Sequence, residues 1–207
     1  LSRVGALAAQ SGRPREALPL LNAVLAGRRS ALGAAHPDTL AAVRALAALL
    51  RGMPGQLDGA VALLKQALLV RRATLGDAHP DTLAAIGEIG ALLQGQGKLA
   101  AAAPLLAEAL AGQRAALGGS HEATLASMTN VAQLLLQRGK LGEARPLLEE
   151  ALAARRAALG AAHPDTLASS VELARLLRAQ GGAGQLEEAC ALCAGVLARW
   201  REARGDA

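Results

Sequence analysis

The sequence predicts an all-α chain, an α-solenoid of antiparallel helical hairpins, on three observations. About a quarter of the 207 residues are Ala, Leu is the other dominant residue, and Trp200 is the sole aromatic. Ala and Leu are strong helix formers, while the β-branched and aromatic residues that favour strands are scarce. A short motif, His36-Pro37-Asp38-Thr39-Leu40, returns at His79 and His163 and, in degenerate form, as His121-Glu122-Ala123-Thr124-Leu125, in steps of 43, 42 and 42 residues. A second, Gly-rich punctuation falls near the middle of each interval, at Gly12-Arg13, Gly52 to Gly55, Gly97-Lys98, Gly139-Lys140 and Gly181 to Gly184. Self-similarity at a fixed period of this size is the signature of a repeat architecture.

Each element follows from local chemistry. Pro at the first helical position loses nothing, because its missing N–H would be unpaired there and its φ is already helical. The adjacent Asp complements the positive end of the helix dipole. Upstream, Leu32-Gly33, Leu75-Gly76, Leu117-Gly118 and Leu159-Gly160 place Gly where a left-handed residue closes a helix. Each motif is therefore a junction, with the mid-interval Gly clusters as the turns of hairpins. The expected helices are 1–11 with 14–32, 37–51 with 57–75, 80–95 with 99–117, 122–138 with 141–159, and 164–180 with 186–204. The corresponding partition is one solenoid over 1–207, with a partial repeat at 1–33 and full repeats at 34–76, 77–118, 119–160 and 161–204.

A 42-residue step fits both HEAT-type and tetratricopeptide-type arrays. Small residues decide between them: Ala47, Gly90, Ala132 and Ala174 recur in the first helix, and Ala17, Ala60, Ala102, Ala144 and Ala189 in the second. That pattern resembles the tetratricopeptide signature. Leu stands where the usual aromatics would, at Leu50, Leu93, Leu135 and Leu177 and at Leu21, Leu64, Leu106 and Leu148. With the long step and the Leu-Gly-x-x-His-Pro-Asp-Thr-Leu junction, the chain resembles the kinesin-light-chain subtype of the repeat. The resemblance implies a right-handed superhelix whose first helices line a groove for extended peptides.

By that resemblance the contact residues are Arg44, Arg51, Gln94, Thr129, Asn130, Gln133, Glu172, Arg175 and Arg178, interspersed with Ala48, Gly87, Ala91, Leu136 and Val171. Kinesin-light-chain repeats carry an Asn-Asn pair in the first helix. Here the matching pairs are Arg44-Ala45, Gly87-Glu88, Thr129-Asn130 and Val171-Glu172, so only Asn130 is retained. Arginines at both ends point to an acidic extended segment, because a guanidinium fork can hold both oxygens of a carboxylate. The function expected is a non-catalytic protein–protein interaction module, a scaffold or adaptor. The alternative is a structural subunit held permanently in a larger assembly.

Other features carry less. Equivalent His residues one hairpin apart are at least ~8–10 Å from one another, too far for one zinc with ligands at ~2 Å, so they read as helix starts. Cys190 and Cys193 lack a second pair for zinc, and Cys193 is expected as a small buried core residue. Arg28-Arg29, Arg71-Arg72 and Arg155-Arg156 fall in last turns, where cations suit the helix dipole. Trp200 takes the first Arg place in the final hairpin, either packed on the preceding helix or anchoring a partner. The terminal surfaces are expected to expose Leu and Ala.

The net charge of +5 comes without a dense basic run, so no nucleic acid partner is expected. No apolar run of about 18 residues suggests a membrane span. No nucleophile–base pair, phosphate loop or carboxylate pair stands out from the repeat background, so no enzyme, cofactor or metal is expected. The opening at Leu1 on a helical pattern fits a fragment or processed chain, cytoplasmic by default.

Overall fold

In the computed structural model, residues 14–204 are described, with side chains through Arg201. They form nine α-helices and no strand: α1 Pro14–Leu32, α2 Pro37–Arg51, α3 Leu57–Leu75, α4 Pro80–Gly95, α5 Leu99–Leu117, α6 Glu122–Gln137, α7 Leu141–Leu159, α8 Pro164–Gln180 and α9 Ala183–Arg204. The helix expected over 1–11 lies outside the described residues. The chain divides into two compact units between Glu108 and Ala109. In the first, α1 packs on α2, α2 on α3 and α3 on α4; in the second, α6 packs on α7, α7 on α8 and α8 on α9.

The helix ends explain the recurring motif atom by atom. The four histidines are N-caps in extended backbone, and each Nδ1 accepts from the N–H two residues on, at 3.1–3.2 Å. This satisfies one of the amides that every helix start leaves unpaired. The motif threonine is buried, and Thr39 and Thr124 donate through Oγ1 to the carbonyls of Gly33 and Gly118 at 2.8 Å, tying each helix start to the preceding helix end.

Those glycines correct one expectation. Their φ is positive, but Gly76 and Gly160 have ψ of 167° and 165°, so they are extended rather than left-handed helical. The chain thus turns out of the helix axis at once, in a region open essentially to Gly alone.

Two bounds also shift. Helix α6 stops one residue early, with Arg138 as its cap. Helix α9 starts at Ala183 because positive φ is confined to Gly181 and Gly182, and the Leu186 N–H already bonds the Gly182 carbonyl at 3.1 Å.

The core is Leu on Ala. All nine small-residue positions are buried, among them Ala17, Ala60, Ala102 and Ala144 at 0% exposure. Leu21, Leu64, Leu106 and Leu148 beside them are at most 5% exposed, each stabilising by about 2–3 kcal/mol through burial. At Gly90 the approach is tight, since a Cβ there would lie 2.8 Å from the Leu106 side chain.

The last helix breaks the pattern. Cys193, expected in the core at the place of Leu148, is exposed, as are Cys190, Leu186, Leu197 and Trp200. The difference has a simple cause. Leu148 is covered by α8 through Leu173, Ala174 and Leu177, whereas no described helix follows α9.

Candidate functional site

The first helices carry the candidate contact residues, and the two units present them differently. In the second unit, α6 and α8 enclose an open cavity of about 420 Å³ lined by Gln133, Leu136, Gln137, Glu172, Arg175 and Ala179. A smaller one of about 250 Å³ adjoins it between Arg175, Arg178 and Ala179. Four of the residues singled out in the sequence, Gln133, Glu172, Arg175 and Arg178, are thereby brought together. Thr129 and Asn130 lie on the same α6, half-buried, and Thr129 already donates its hydroxyl to the Leu125 carbonyl at 3.0 Å. Arg175 meets Glu172 at 3.2 Å, with the glutamate only 19% exposed and the arginine 67%. Arg178 is exposed and has no hydrogen-bond or ion-pair partner among the described residues.

In the first unit, Arg44 and Arg51 on α2 are exposed and likewise have no such partner among the described residues. Gln94 is different. At 7% exposure it is buried rather than open to a partner, because α4 buries ten of its sixteen residues, including Gly87 and Gly90. Small side chains there let its neighbours close over it.

The second helices hold an arrangement that sequence reading missed. The paired arginines do more than answer the helix dipole. Two of the second residues reach the next second helix: Arg72 meets Glu108 at 2.6 Å and Arg29 meets Gln66 at 3.4 Å, and Arg114, at the same place in α5, meets Glu150 at 2.6 Å. Of the first residues, Arg71 and Arg155 turn inward, whereas Arg28 is half-buried and donates to the Asp38 carbonyl at 2.7 Å. Arg71 and Arg155 are 6% and 7% exposed, and Gln113 takes the same place in α5 at 3%. The signal was the 36–37 residue offset that separates Arg29, Arg72 and Arg114 from an amide or acidic residue.

Helix α9 contributes an apolar cavity of about 440 Å³ between its own Val196, Arg199 and Trp200 and Pro164, Leu167, Ala168 and Val171 of α8. Trp200 is 54% exposed there. Among the described residues no group of three or more His, Cys, Asp or Glu is placed to hold a metal ion. None of the described helices is long and apolar enough to cross a membrane.

A tetratricopeptide-repeat model matches residues 1–68, 54–115, 81–157 and 123–183. The chain belongs to the tetratricopeptide-repeat family. Among solved structures it is similar to the nearly identical, kinesin-light-chain TPR-like repeats of Podosopora anserina, at 33% identity over 97% of this chain and 93% of that one, with a TM-score of 0.78. BtubC (BKLC) from P. vanneervenii shares the fold at 20% identity, covering 99% of this chain and 80% of that one, with a TM-score of 0.81. MamA from Desulfovibrio magneticus RS-1 shares it at 14% identity over 97% and 93%, with a TM-score of 0.63. The search of curated proteins gave no match. The long repeat is of the kinesin-light-chain-like kind, and repeats of this family serve in general as non-catalytic modules for protein partners.

Proposed function

We propose that this chain is an adaptor that holds an acidic, extended segment of a protein partner against its first helices. The carrying observation is the cavity between α6 and α8, lined by Gln133 and Arg175, with Arg178 at the smaller one that shares Arg175. Arg178 offers an unpaired guanidinium, and Gln133 offers an amide that can donate to and accept from a peptide backbone. Glu172 holds Arg175 in place from a largely buried position, which reduces the cost of ordering the arginine on binding. The reading takes the hairpins as one array over residues 1–207, with no catalytic role and no nucleic acid partner.

The test is a double charge reversal, Arg175→Glu with Arg178→Glu, assayed by recovery of partner protein on the immobilised chain. Recovery should fall by about tenfold, as expected for unlike charges made alike at an interface. Unchanged recovery from a variant of native helical content would rule the face out.

A second reading, a subunit fixed in a larger assembly, draws support from the exposed Leu186, Leu197 and Trp200 of α9. An apolar contact of that kind would hold as salt rises, whereas binding through Arg178 would weaken.

A further inference from the structure

Five residues of α9, Leu186, Cys190, Cys193, Leu197 and Trp200, follow one another at steps of four, three, four and three. That spacing puts them in one stripe along the helix, the seam by which two helices pack side by side. All five are exposed, Leu197 at 58%. The stripe is about 21 Å long, from a rise of ~1.5 Å per residue.

On α7 the same face is covered. Leu148 and Leu152 stand at the places of Cys193 and Leu197, are 1% and 3% exposed, and pack with Leu173 and Leu177 of α8. The α9 stripe is thus a helix-packing face without its helix among the described residues. The apolar cavity beside it, lined by Val171, Val196 and Trp200 among others, widens that face.

Charge says which helix fits. Glu187 and Arg201 stand on one flank of the stripe, near its two ends, exposed and without an ion-pair or hydrogen-bond partner among the described residues. The equivalent places on α3 hold Asp58 and Arg72, and both reach the next hairpin: Asp58 meets Lys98 at 2.7 Å and Arg72 meets Glu108 at 2.6 Å. A helix laid on α9 should therefore offer a cation at the Glu187 end and an acid at the Arg201 end. Turned end for end, α9 itself is such a helix.

We propose that α9 packs antiparallel on α9 of a second copy, making the chain a two-fold dimer. In that register Leu186 of one copy faces Trp200 of the other, Cys190 faces Leu197, and Cys193 faces its own counterpart on the axis. Glu187 of each copy meets Arg201 of the other, and Ala194, between them, faces its counterpart and lets the helices close. A parallel pair would set Glu187 on Glu187 and Arg201 on Arg201, which like charges disfavour. The cavity beside Trp200 gives the incoming Leu186 an apolar seat. The pairing assigns to a second copy the face that a larger assembly would otherwise use, and it takes up none of the groove residues between α6 and α8.

The test is sedimentation of the 207-residue chain over a wide range of concentration, with Trp200 emission followed in parallel. A monomer–dimer equilibrium is expected, with emission moving to the blue as Trp200, the sole aromatic, leaves water. Leu197→Asp, a change at an exposed position, should weaken association by about tenfold or more, since it puts a charge into the apolar seam. Glu187→Arg should weaken it about fivefold through two lost ion pairs, and adding Arg201→Glu should restore it. A short bis-maleimide should link two copies through Cys193 in Cys190→Ser far better than through Cys190 in Cys193→Ser, because only Cys193 meets its own counterpart. A monomer at every concentration overturns the pair and leaves the face to another protein's helix. A dimer indifferent to Leu197→Asp overturns the seam. Equal cross-linking through both cysteines, or no restoration by the charge exchange, overturns the antiparallel register.

Discussion

Arg155 and Arg71 stand at one place in the repeat and are both buried, but they differ in the hydrogen bonds that surround them. In the second unit a buried guanidinium is satisfied from within by Glu122 and Ser169. In the first, Pro37 and Ala85 take the places of Glu122 and Ser169 and leave the same group with one long hydrogen bond. The exchange at the helix start is a trade. Pro37 pre-sets the first turn of α2, whereas Glu122 gives that up for an ion pair to the buried Arg155. The degenerate copy of the motif is therefore degenerate for a reason, and its neighbours become unusual through the same substitution.

The comparison breaks if the two arginines respond alike to removal. Arg155→Met should cost about 2 kcal/mol, the usual worth of hydrogen bonds to a charged group, because it removes the bonds to Glu122 and Ser169. Arg71→Met should cost less than about 0.5 kcal/mol or stabilise, since an apolar side chain relieves an under-satisfied buried charge. Urea denaturation midpoints of the two variants decide it.

A smaller effect is expected where α4 meets α5 at Gly90. Gly90→Ala gains helix propensity of about 1 kcal/mol, but its Cβ meets the fully buried Leu106, where overpacking costs about 1–3 kcal/mol. A net loss of about 1 kcal/mol is expected. Ala47, Ala132 and Ala174 at the same place show that a wider spacing is available elsewhere in the chain. Enhanced stability in Gly90→Ala would mean that α4 and α5 can part without penalty.

The helix starts should follow the same division. His121→Ala removes the cap of α6, which begins with Glu122 and has no Pro to pre-set it, and should lose about 1 kcal/mol. His79→Ala, followed by Pro80, should lose roughly half of that. Equal losses by thermal melting would show that Pro adds nothing to the cap.

Smallest of all should be Arg114→Gln. It breaks an exposed ion pair to Glu150 and should change stability by less than about 0.5 kcal/mol, as such pairs usually do. A larger change would make the ladder between second helices a principal source of stability.

Most of the fold was legible because its determinants are local and repeated. Pro37, Pro80 and Pro164, the small residues and the Gly turns each act within a few residues of themselves. Helix bounds read from them agree with the structure except at Arg138 and at 183–185. The buried roles of Arg71 and Arg155 were not legible, because their partners lie 10 to 33 residues away. The exposure of Cys193 was missed because the repeat pattern assumes a helix following α9. Gln94 was misjudged since periodicity gives the face of a helix but not how closely its neighbours close over it.

The central claim, an adaptor that meets its partner through charge, is tested most directly by purifying the protein from its native source at low and moderate salt and quantifying what accompanies it by mass spectrometry. The account predicts substoichiometric proteins rich in acidic segments that leave as salt rises. A fixed, stoichiometric set that survives the salt would contradict it and make this chain a structural subunit joined through the apolar face of α9.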